Sequence, residues 1–210
     1  FNRAEKTLKC LDSLHKATLP TNYSFEVFLV DDASKDNSAE KIIQSYPLVN
    51  VINGTGDLFW CGGTNLAWVH ASKKKFDYYI WLNDDTYLLK DTWDTIAKCI
   101  ELLKKNNTFI LVGTTVDLEN KKITYGGRRN LNDQFCIPNG ELQQCSIING
   151  NFVIIPHKIF ELNGFIDKHF TQGGGDIDYG LRAIENGVDI YLLPKIIGQC
   201  NQNGVPDWCN

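Results

Sequence analysis

The order of apolar and polar positions predicts alternating helices and strands in the first half of the chain. Leucines recur every three residues among charged side chains over Ala4–Lys16, which predicts an amphipathic helix. Near-continuous apolar runs at 25–30 and 76–82 are typical of strands that are buried on both faces. Strands that alternate with helices favour βαβ units and a mostly parallel sheet.

The rest of the pattern predicts regular helices and strands up to residue 114 and more irregular β structure directly after it. Asn37 and Glu40 have the spacing of a capping box, and Gly62-Gly63 predicts a loop before a helix at 65–75. The other predicted elements are a strand at 49–52, a helix at 92–104, a strand at 109–113, a smaller irregular β region at 122–138, a strand at 146–155, helices at 157–162 and 176–185, and a strand at 188–193. We expect one domain over 1–210, with a nucleotide-binding half at 1–114 and a second half at 115–210.

Composition excludes several classes of protein. The 210 residues are 43% hydrophobic and carry a net charge of −4, so no global basic field attracts nucleic acid. No apolar run reaches the roughly 18 residues that a membrane-spanning helix needs. Seven cysteines without a C-x-x-C pair predict reduced thiols and a cytoplasmic location. Pairing of Cys136 with Cys145, or of Cys200 with Cys209, stays open if the compartment is oxidising.

Acidic residues follow both apolar runs directly. Asp31-Asp32 ends the first run, and Asn83-Asp84-Asp85 ends the second. Ligands of an open parallel sheet bind outside the carboxyl ends of its strands, so we expect these side chains in one crevice. Carboxylates repel phosphates, and a divalent cation, Mn²⁺ or Mg²⁺, would have to lie between them. Asp85 is the predicted single carboxylate on that cation; an Asx turn is the structural alternative for this segment.

A third polar segment follows three glycines in the second half. Asp176 stands where a helix begins, so it is a candidate general base or a plain helix cap. Asp178 lies four residues before Arg182, the offset of an intrahelical ion pair, and that structural role stays open. Trp60, in a segment bounded by glycines, is a candidate for stacking on a sugar or a base.

Six short segments follow one another along the chain: Phe1-Asn2-Arg3, Val30-Asp31-Asp32-Ala33-Ser34, Gly62-Gly63-Thr64-Asn65, Leu82-Asn83-Asp84-Asp85-Thr86, Asn149-Gly150-Asn151-Phe152-Val153-Ile154, and Gly175-Asp176-Ile177-Asp178 with Leu181-Arg182. Their order and spacing resemble those of family 2 glycosyltransferases, which have the GT-A fold. The resemblance spans nearly the whole chain. It implies an α/β fold with a mostly parallel central sheet flanked by helices.

The resemblance also implies a role for each matching residue. It assigns Asp176 as the catalytic base and Asp85 as the metal ligand. The nucleotide-binding candidates are Asn2, Arg3, Asp31, Asp32, Gly62, Gly63, Asn65, Asn83 and Asp84. The candidates around the donor or acceptor sugar are Trp60, Asn149, Gly150, Asn151, Gly174, Gly175 and Asp178.

The implied activity is transfer of a sugar from a nucleotide-diphosphate donor to an acceptor hydroxyl, with inversion and metal assistance, in polysaccharide or glycoconjugate synthesis. A saccharide or a lipid-linked molecule would be the acceptor, and peripheral association with the inner face of the membrane stays open. The alternatives are a nucleotidyltransferase acting on sugar phosphates and a non-catalytic sugar-nucleotide-binding module. The sequence does not indicate the sugar, the base or the oligomeric state.

Three departures from the family pattern qualify the resemblance. The family's first strand is expected before Phe1 and is absent from this sequence. Gly175 replaces the usual glutamate before the catalytic aspartate. The region that often supplies a late metal-binding histidine offers Gln199, Cys200 and Asn201 instead, so metal binding is expected to be weak or to require the donor diphosphate.

Overall fold

The structure is a computed structural model, and it describes residues 1–104 and 108–202. Its helices are α1 (Ala4–Lys16), α2 (Ser38–Ser45), α3 (Phe59–Ala71), α4 (Thr92–Leu103), α5 (His157–Asn163) and α6 (Gly175–Glu185). Within those two ranges, no helix is both long enough and apolar enough to cross a bilayer.

The strands form one mixed sheet and one parallel pair. They are β1 (Phe28–Asp31), β2 (Asn50–Asn53), β3 (Tyr78–Leu82), β4 (Tyr87–Leu88), β5 (Phe109–Val116), β6 (Ile123–Tyr125), β7 (Gln143–Gln144), β8 (Phe152–Pro156) and β9 (Asp189–Gln199). β1 pairs with β2, and the larger sheet has the order β3-β8-β5-β9-β4, with β6 on β5 and β7 on β9.

The α/β prediction is confirmed, but the mostly parallel pairing is wrong for the described strands. Only β1 with β2 and β5 with β9 are parallel, whereas β8 runs antiparallel to both β3 and β5. Parallel neighbours need a long crossover, usually a helix. The chain between β5 and β8 contains only the short strands β6 and β7, so it returns in the opposite direction.

Two local predictions are corrected. α3 begins at Phe59, so Gly62 and Gly63 lie inside the helix and not in a loop. The helix starts early because the Asp32 carboxylate accepts the N–H of Gly56 and of Leu58, which fixes the chain just before Phe59.

The capping box at the start of α2 does not form. Asn37 is the N-cap residue but has a left-handed φ of 58°, and its side chain makes no capping hydrogen bond. The carboxylate of Asp36 accepts the N–H of Ser38 instead. The acidic residue before the predicted cap therefore takes over its function.

The core lies on both sides of the larger sheet. Alternate residues of β8 face opposite layers: Val153 and Ile155 pack with α3 and α6, and Phe152 and Ile154 pack with α1 and α4. This alternation is the two-residue period of a strand. All five residues of β8 are buried, so the segment just before it, 149–151, is held at a fixed place.

A cavity of about 560 Å³ is lined by 25–29, by β3, and by residues of α1, α3 and α4. Among the described strands, β1 pairs only with β2 and β3 pairs only with β8. The expected burial on both faces is consequently wrong for β1, whose four residues are all half-buried. The first family strand that the resemblance implies stays a prediction.

The described cysteines are free thiols. They include Cys136 and Cys145, so the first of the two disulfides left open by the sequence is not formed. The second, Cys200 with Cys209, involves a residue outside the described part of the chain.

Candidate active site

Asp176 is the second residue of α6, and backbone donors hold its carboxylate. Its Oδ2 accepts the N–H of Gly150 at 2.8 Å, and its Oδ1 accepts the N–H of Ile177 at 2.9 Å. Burial raises the pKa of Asp176, and the two N–H groups oppose that rise without cancelling it. A carboxylate with a raised pKa is a better proton acceptor than an ordinary surface aspartate.

Gly150 touches the Trp60 ring so closely that no side chain fits between them. A Cβ on Gly150 would lie 2.1 Å from Cζ2 of Trp60. The Trp60 Nε1–H donates to Oδ1 of Asn83 at 2.7 Å. The indole therefore connects the loop that contacts Asp176 with the carboxyl end of β3.

An amide network continues from Asn83 toward the acidic pair. The Asn83 Nδ2 donates to Oδ1 of Asn151 at 2.7 Å, and the Asn151 Nδ2 donates to Sγ of Cys200 at 3.3 Å. The Cys200 thiol lies 3.6 Å from Oδ1 of Asp85, to which it donates. Burial, and next the charge of Asp85, raises the pKa of Cys200 to about 12, so the thiol keeps its proton.

We expect Asn83→Leu to lower the free energy of unfolding, because both partners of its amide lose a hydrogen bond. An unsatisfied buried polar group costs about 1–3 kcal/mol. Asn22→Leu is the matched control, since it makes the same change at an exposed position in the turn before β1 and should leave the free energy of unfolding nearly unchanged. Chemical denaturation checks both variants; equal stability of Asn83→Leu and the unmutated chain would contradict this role.

Arg3 lies on the two carboxylates that end this network. Its Nη2 is 3.2 Å from Oδ1 of Asp84 and forms an ion pair with Oδ2 of Asp85. Asp85 is 5% exposed. Burial raises the pKa of Asp84, and the charge of Arg3 offsets only part of that rise. Thr7 supports the arrangement, since its hydroxyl lies 3.0 Å from Oδ2 of Asp84.

The loop that follows β1 reaches the same place through the backbone beside Arg3. The N–H of Asn2 donates to Oγ of Ser34 at 3.0 Å, and the N–H of Lys35 donates to Oδ1 of Asn2 at 2.7 Å. The N–H of Ser34 in turn donates to Oδ1 of Asp31. A series of contacts through intervening residues thus links Asp31 to Asp85 and Asp85 to Asp176, which are remote from one another in the sequence.

Other predicted site residues lie nearby but are bonded within the protein. Both carboxylate oxygens of Asp32 accept N–H groups in front of α3. The Asn65 amide makes two hydrogen bonds to the backbone of Ile166, at 2.8 and 3.1 Å. Asp178 forms an ion pair with Arg182 at 2.8 Å, the structural alternative that the sequence left open. Roles for these three side chains on a ligand stay predictions.

Gly175, in the third segment, packs closely against two side chains. A Cβ on Gly175 would lie 2.7 Å from Cγ2 of Ile166 and 2.8 Å from Sγ of Cys61, so a glutamate at this position would require those side chains to move. Gly174 has a φ of +82°, which favours glycine. Asn149 accepts the N–H of Asn151 through its side chain at 3.2 Å.

Thr7 and Cys200 contribute more than the sequence analysis indicated. Thr7 is four residues after Arg3 in the first turn of α1, and that spacing puts both on one side of the helix. The sequence indicates Cys200 only in the region of the family's late histidine or as a possible partner of Cys209, and not as a neighbour of Asp85. No local pattern marks it, because its contact with Asp85 depends on the position of the end of β9.

The described part of the chain has the fold of GT-A glycosyltransferases. A family model described as glycosyl transferase family 2 matches residues 1–169. The chain belongs to that family. The match ends before Asp176, so the assignment of Asp176 depends on its contacts and on the sequence resemblance.

Solved structures with this fold include three that contain donor nucleotides. S. aureus TarS 1-349 in complex with UDP-GlcNAc has a TM-score of 0.70 at 14% identity, over 100% of this chain and 58% of that one. GalNAc-T7 with UDP, GalNAc and Mn²⁺ has a TM-score of 0.73 at 16% identity, over 97% of this chain and 43% of that one. The mannosyltransferase PcManGT from Pyrobaculum calidifontis, with GDP-Man and Mn²⁺, has a TM-score of 0.67 at 16% identity. That match covers 99% of this chain and 55% of the mannosyltransferase chain.

A curated relative from Haemophilus influenzae, an uncharacterized glycosyltransferase, is 28% identical over 125 residues, which is 60% of this chain and 40% of the relative. The chain therefore spans less than two thirds of the length of these matched proteins.

The residues around Asp85 fit a divalent cation of the kind that the fold family implies. The buried Asp85 carboxylate already has a cationic partner, Arg3. In the part of the chain that the structure describes, no three His, Cys, Asp or Glu side chains are grouped to hold a metal. Mg²⁺ commonly takes one or two carboxylates and fills its other positions with phosphate oxygens and water. Asp85 fits that arrangement.

Proposed function

We propose that this protein transfers a sugar from a nucleotide-diphosphate donor to an acceptor hydroxyl, with inversion at the anomeric carbon. The observation that carries the proposal is the continuous set of contacts from Asp176 through Gly150, Trp60 and Asn83 toward Asp85. It joins a carboxylate suited to accept a proton to a carboxylate suited to hold a cation.

Asp176 would remove the proton from the attacking hydroxyl as that oxygen bonds to the anomeric carbon. The N–H groups of Gly150 and Ile177 fix the direction of its carboxylate. Trp60 and Gly150 would position the sugar between the two carboxylates, which favours in-line attack. A divalent cation on Asp85, when bound, supplies positive charge that neutralises the leaving diphosphate.

The nucleotide would bind to the first half of the chain, up to about residue 114, near Asp31 and Arg3. Structures of this fold hold uridine or guanosine donors, so UDP-sugars and GDP-mannose are the first candidates. The second half would hold the sugar and the acceptor, a saccharide or a lipid-linked molecule. Polysaccharide or glycoconjugate synthesis at the inner face of the membrane is consistent with such acceptors.

A thermal-shift screen followed by a product assay tests this proposal. We expect one nucleoside diphosphate, with Mn²⁺, to raise the unfolding temperature, because a ligand that binds only the folded state stabilises it. The matching nucleotide-sugar should then release free nucleoside diphosphate when saccharide acceptors are added. Release of pyrophosphate would indicate a nucleotidyltransferase, and donor binding without any release would indicate a binding module.

A further inference from the structure

The Arg3 guanidinium pairs with Asp85, the carboxylate that is predicted to hold a cation. It forms an ion pair with Oδ2 of that carboxylate, while Oδ1 faces the Cys200 thiol at 3.6 Å. A buried carboxylate is costly unless it is paired, so Arg3 supplies the charge that the acidic pair needs when no other cation is present.

The backbone on both sides of Arg3 is anchored to the loop that follows β1. The N–H of Asn2 donates to Oγ of Ser34, and the N–H of Ala4 donates to Oδ2 of Asp36 at 3.1 Å. The carbonyl of Arg3 accepts the N–H of Thr7 at 3.0 Å. A movement of Arg3 is therefore confined to its side chain.

The Arg3 side chain contacts both carboxylates through Nη2. Its Nε is buried and, within residues 1–104 and 108–202, has no hydrogen-bond partner. Nε therefore retains donor capacity that the two carboxylates leave unused. Guanidinium groups bind phosphate oxygens through paired N–H donors, so a diphosphate beside Arg3 would satisfy them better.

A metal ion on Asp85 and the guanidinium on the same oxygen exclude each other. Like charges a few ångströms apart in a partly buried site repel strongly. A metal can bind Oδ2 only when the Arg3 side chain moves to another anion, and the phosphates of a donor are the anion that the proposed function brings.

We propose that Arg3 is a counterion that keeps divalent metal off Asp85 until a nucleoside diphosphate draws it away. The first part of this inference concerns the protein without ligand. The second part rests on the proposed function, because it needs a diphosphate to bind beside Asp84 and Asp85. The consequence is an order of binding in which the metal is held firmly only together with the nucleotide.

Titration of the full chain with Mn²⁺, followed by electron paramagnetic resonance of the free ion, tests the inference. Arg3→Gln removes the charge and should bind Mn²⁺ without nucleotide at least about tenfold more tightly than the unmutated chain. Arg3→Lys keeps the charge and should bind it as weakly as the unmutated chain. For the unmutated chain, saturating UDP or GDP should tighten Mn²⁺ binding by a similar factor, after subtraction of the Mn²⁺ that the same nucleotide binds without protein.

Arg129→Gln is the matched control, since it removes the same charge at an exposed position outside the site. The inference is overturned if Arg3→Gln binds Mn²⁺ no more tightly than Arg129→Gln. If Arg3→Gln does not fold, the unmutated chain decides: tight Mn²⁺ binding without nucleotide overturns the inference, and binding that requires nucleotide supports it. Suppose that Arg3→Gln gains Mn²⁺ affinity but the unmutated chain binds neither UDP nor GDP. That result would contradict the proposed function and leave the first part of the inference standing.

Discussion

Replacing Asp176 by asparagine is expected to lower the rate of sugar transfer by about 10²–10⁴-fold, the usual contribution of general acid–base catalysis. The physical reason is that an amide oxygen does not accept a proton from the acceptor hydroxyl near neutral pH. Asparagine can still accept the N–H of Gly150 but not that of Ile177 as well, so we expect a modest loss of stability with the affinity for the nucleotide kept. Single-turnover transfer and nucleotide titration measure the two effects separately.

Glu185→Gln is the matched control for Asp176→Asn. It removes the same charge from the same helix, at an exposed position near its C-terminal end, and should leave the transfer rate unchanged. The pH profile adds a second criterion. Because burial raises the pKa of Asp176, transfer should decline with falling pH at values above the ordinary aspartate pKa of about 3.9. Near-normal turnover by Asp176→Asn would refute its assignment as the base.

Gly150→Ala is expected to destabilise the protein by about 1–3 kcal/mol, the usual cost of overpacking, and to abolish most transfer. The new methyl group would lie 2.1 Å from Cζ2 of Trp60 and 2.4 Å from its Cη2. The indole would have to move, and its hydrogen bond to Asn83 would break. The N–H of Gly150 would shift away from Asp176 as well, so one methyl group disturbs both ends of the site.

Gly173→Ala separates this steric effect from a general cost of adding a methyl group. A Cβ on Gly173 has no heavy atom within 4 Å, and its φ is not in the left-handed region. Its free energy of unfolding should change by less than about 0.5 kcal/mol, as for most surface substitutions. Equal stability of Gly150→Ala and Gly173→Ala would show that the contact with Trp60 is not tight.

Hydrophobic patterns within a single segment predicted the bounds of helix α1 and the end of strand β3 correctly. The leucines of α1 gave the bounds Ala4–Lys16 that the structure has, and the apolar run before Asn83 gave the end of β3 at Leu82. The start of α3 was missed because a distant carboxylate, Asp32, sets it. Strand direction was also missed, since periodicity within β8 does not report which neighbour it pairs with.

The same division holds for the candidate site. The apolar runs and the acids that follow them placed Asp31 and Asp85 at strand ends, and the glycines before Asp176 marked the start of α6. These assignments need only the local chain. The partners of each side chain required the assembled sheet: Arg3 on Asp85, Cys200 beside it, and Trp60 between Gly150 and Asn83.

The sequence by itself determined the class of fold and the kinds of side chain in the crevice, because hydrophobic period and residue chemistry are local properties. Only the tertiary structure decided that the Asn83 amide hydrogen-bonds Trp60 and Asn151, and that Arg3 pairs with the carboxylate predicted to hold metal. Those pairings join segments up to about 80 residues apart in sequence. The packing of β3, β8 and α1 around a shared core brings these segments within hydrogen-bonding or ion-pair distance.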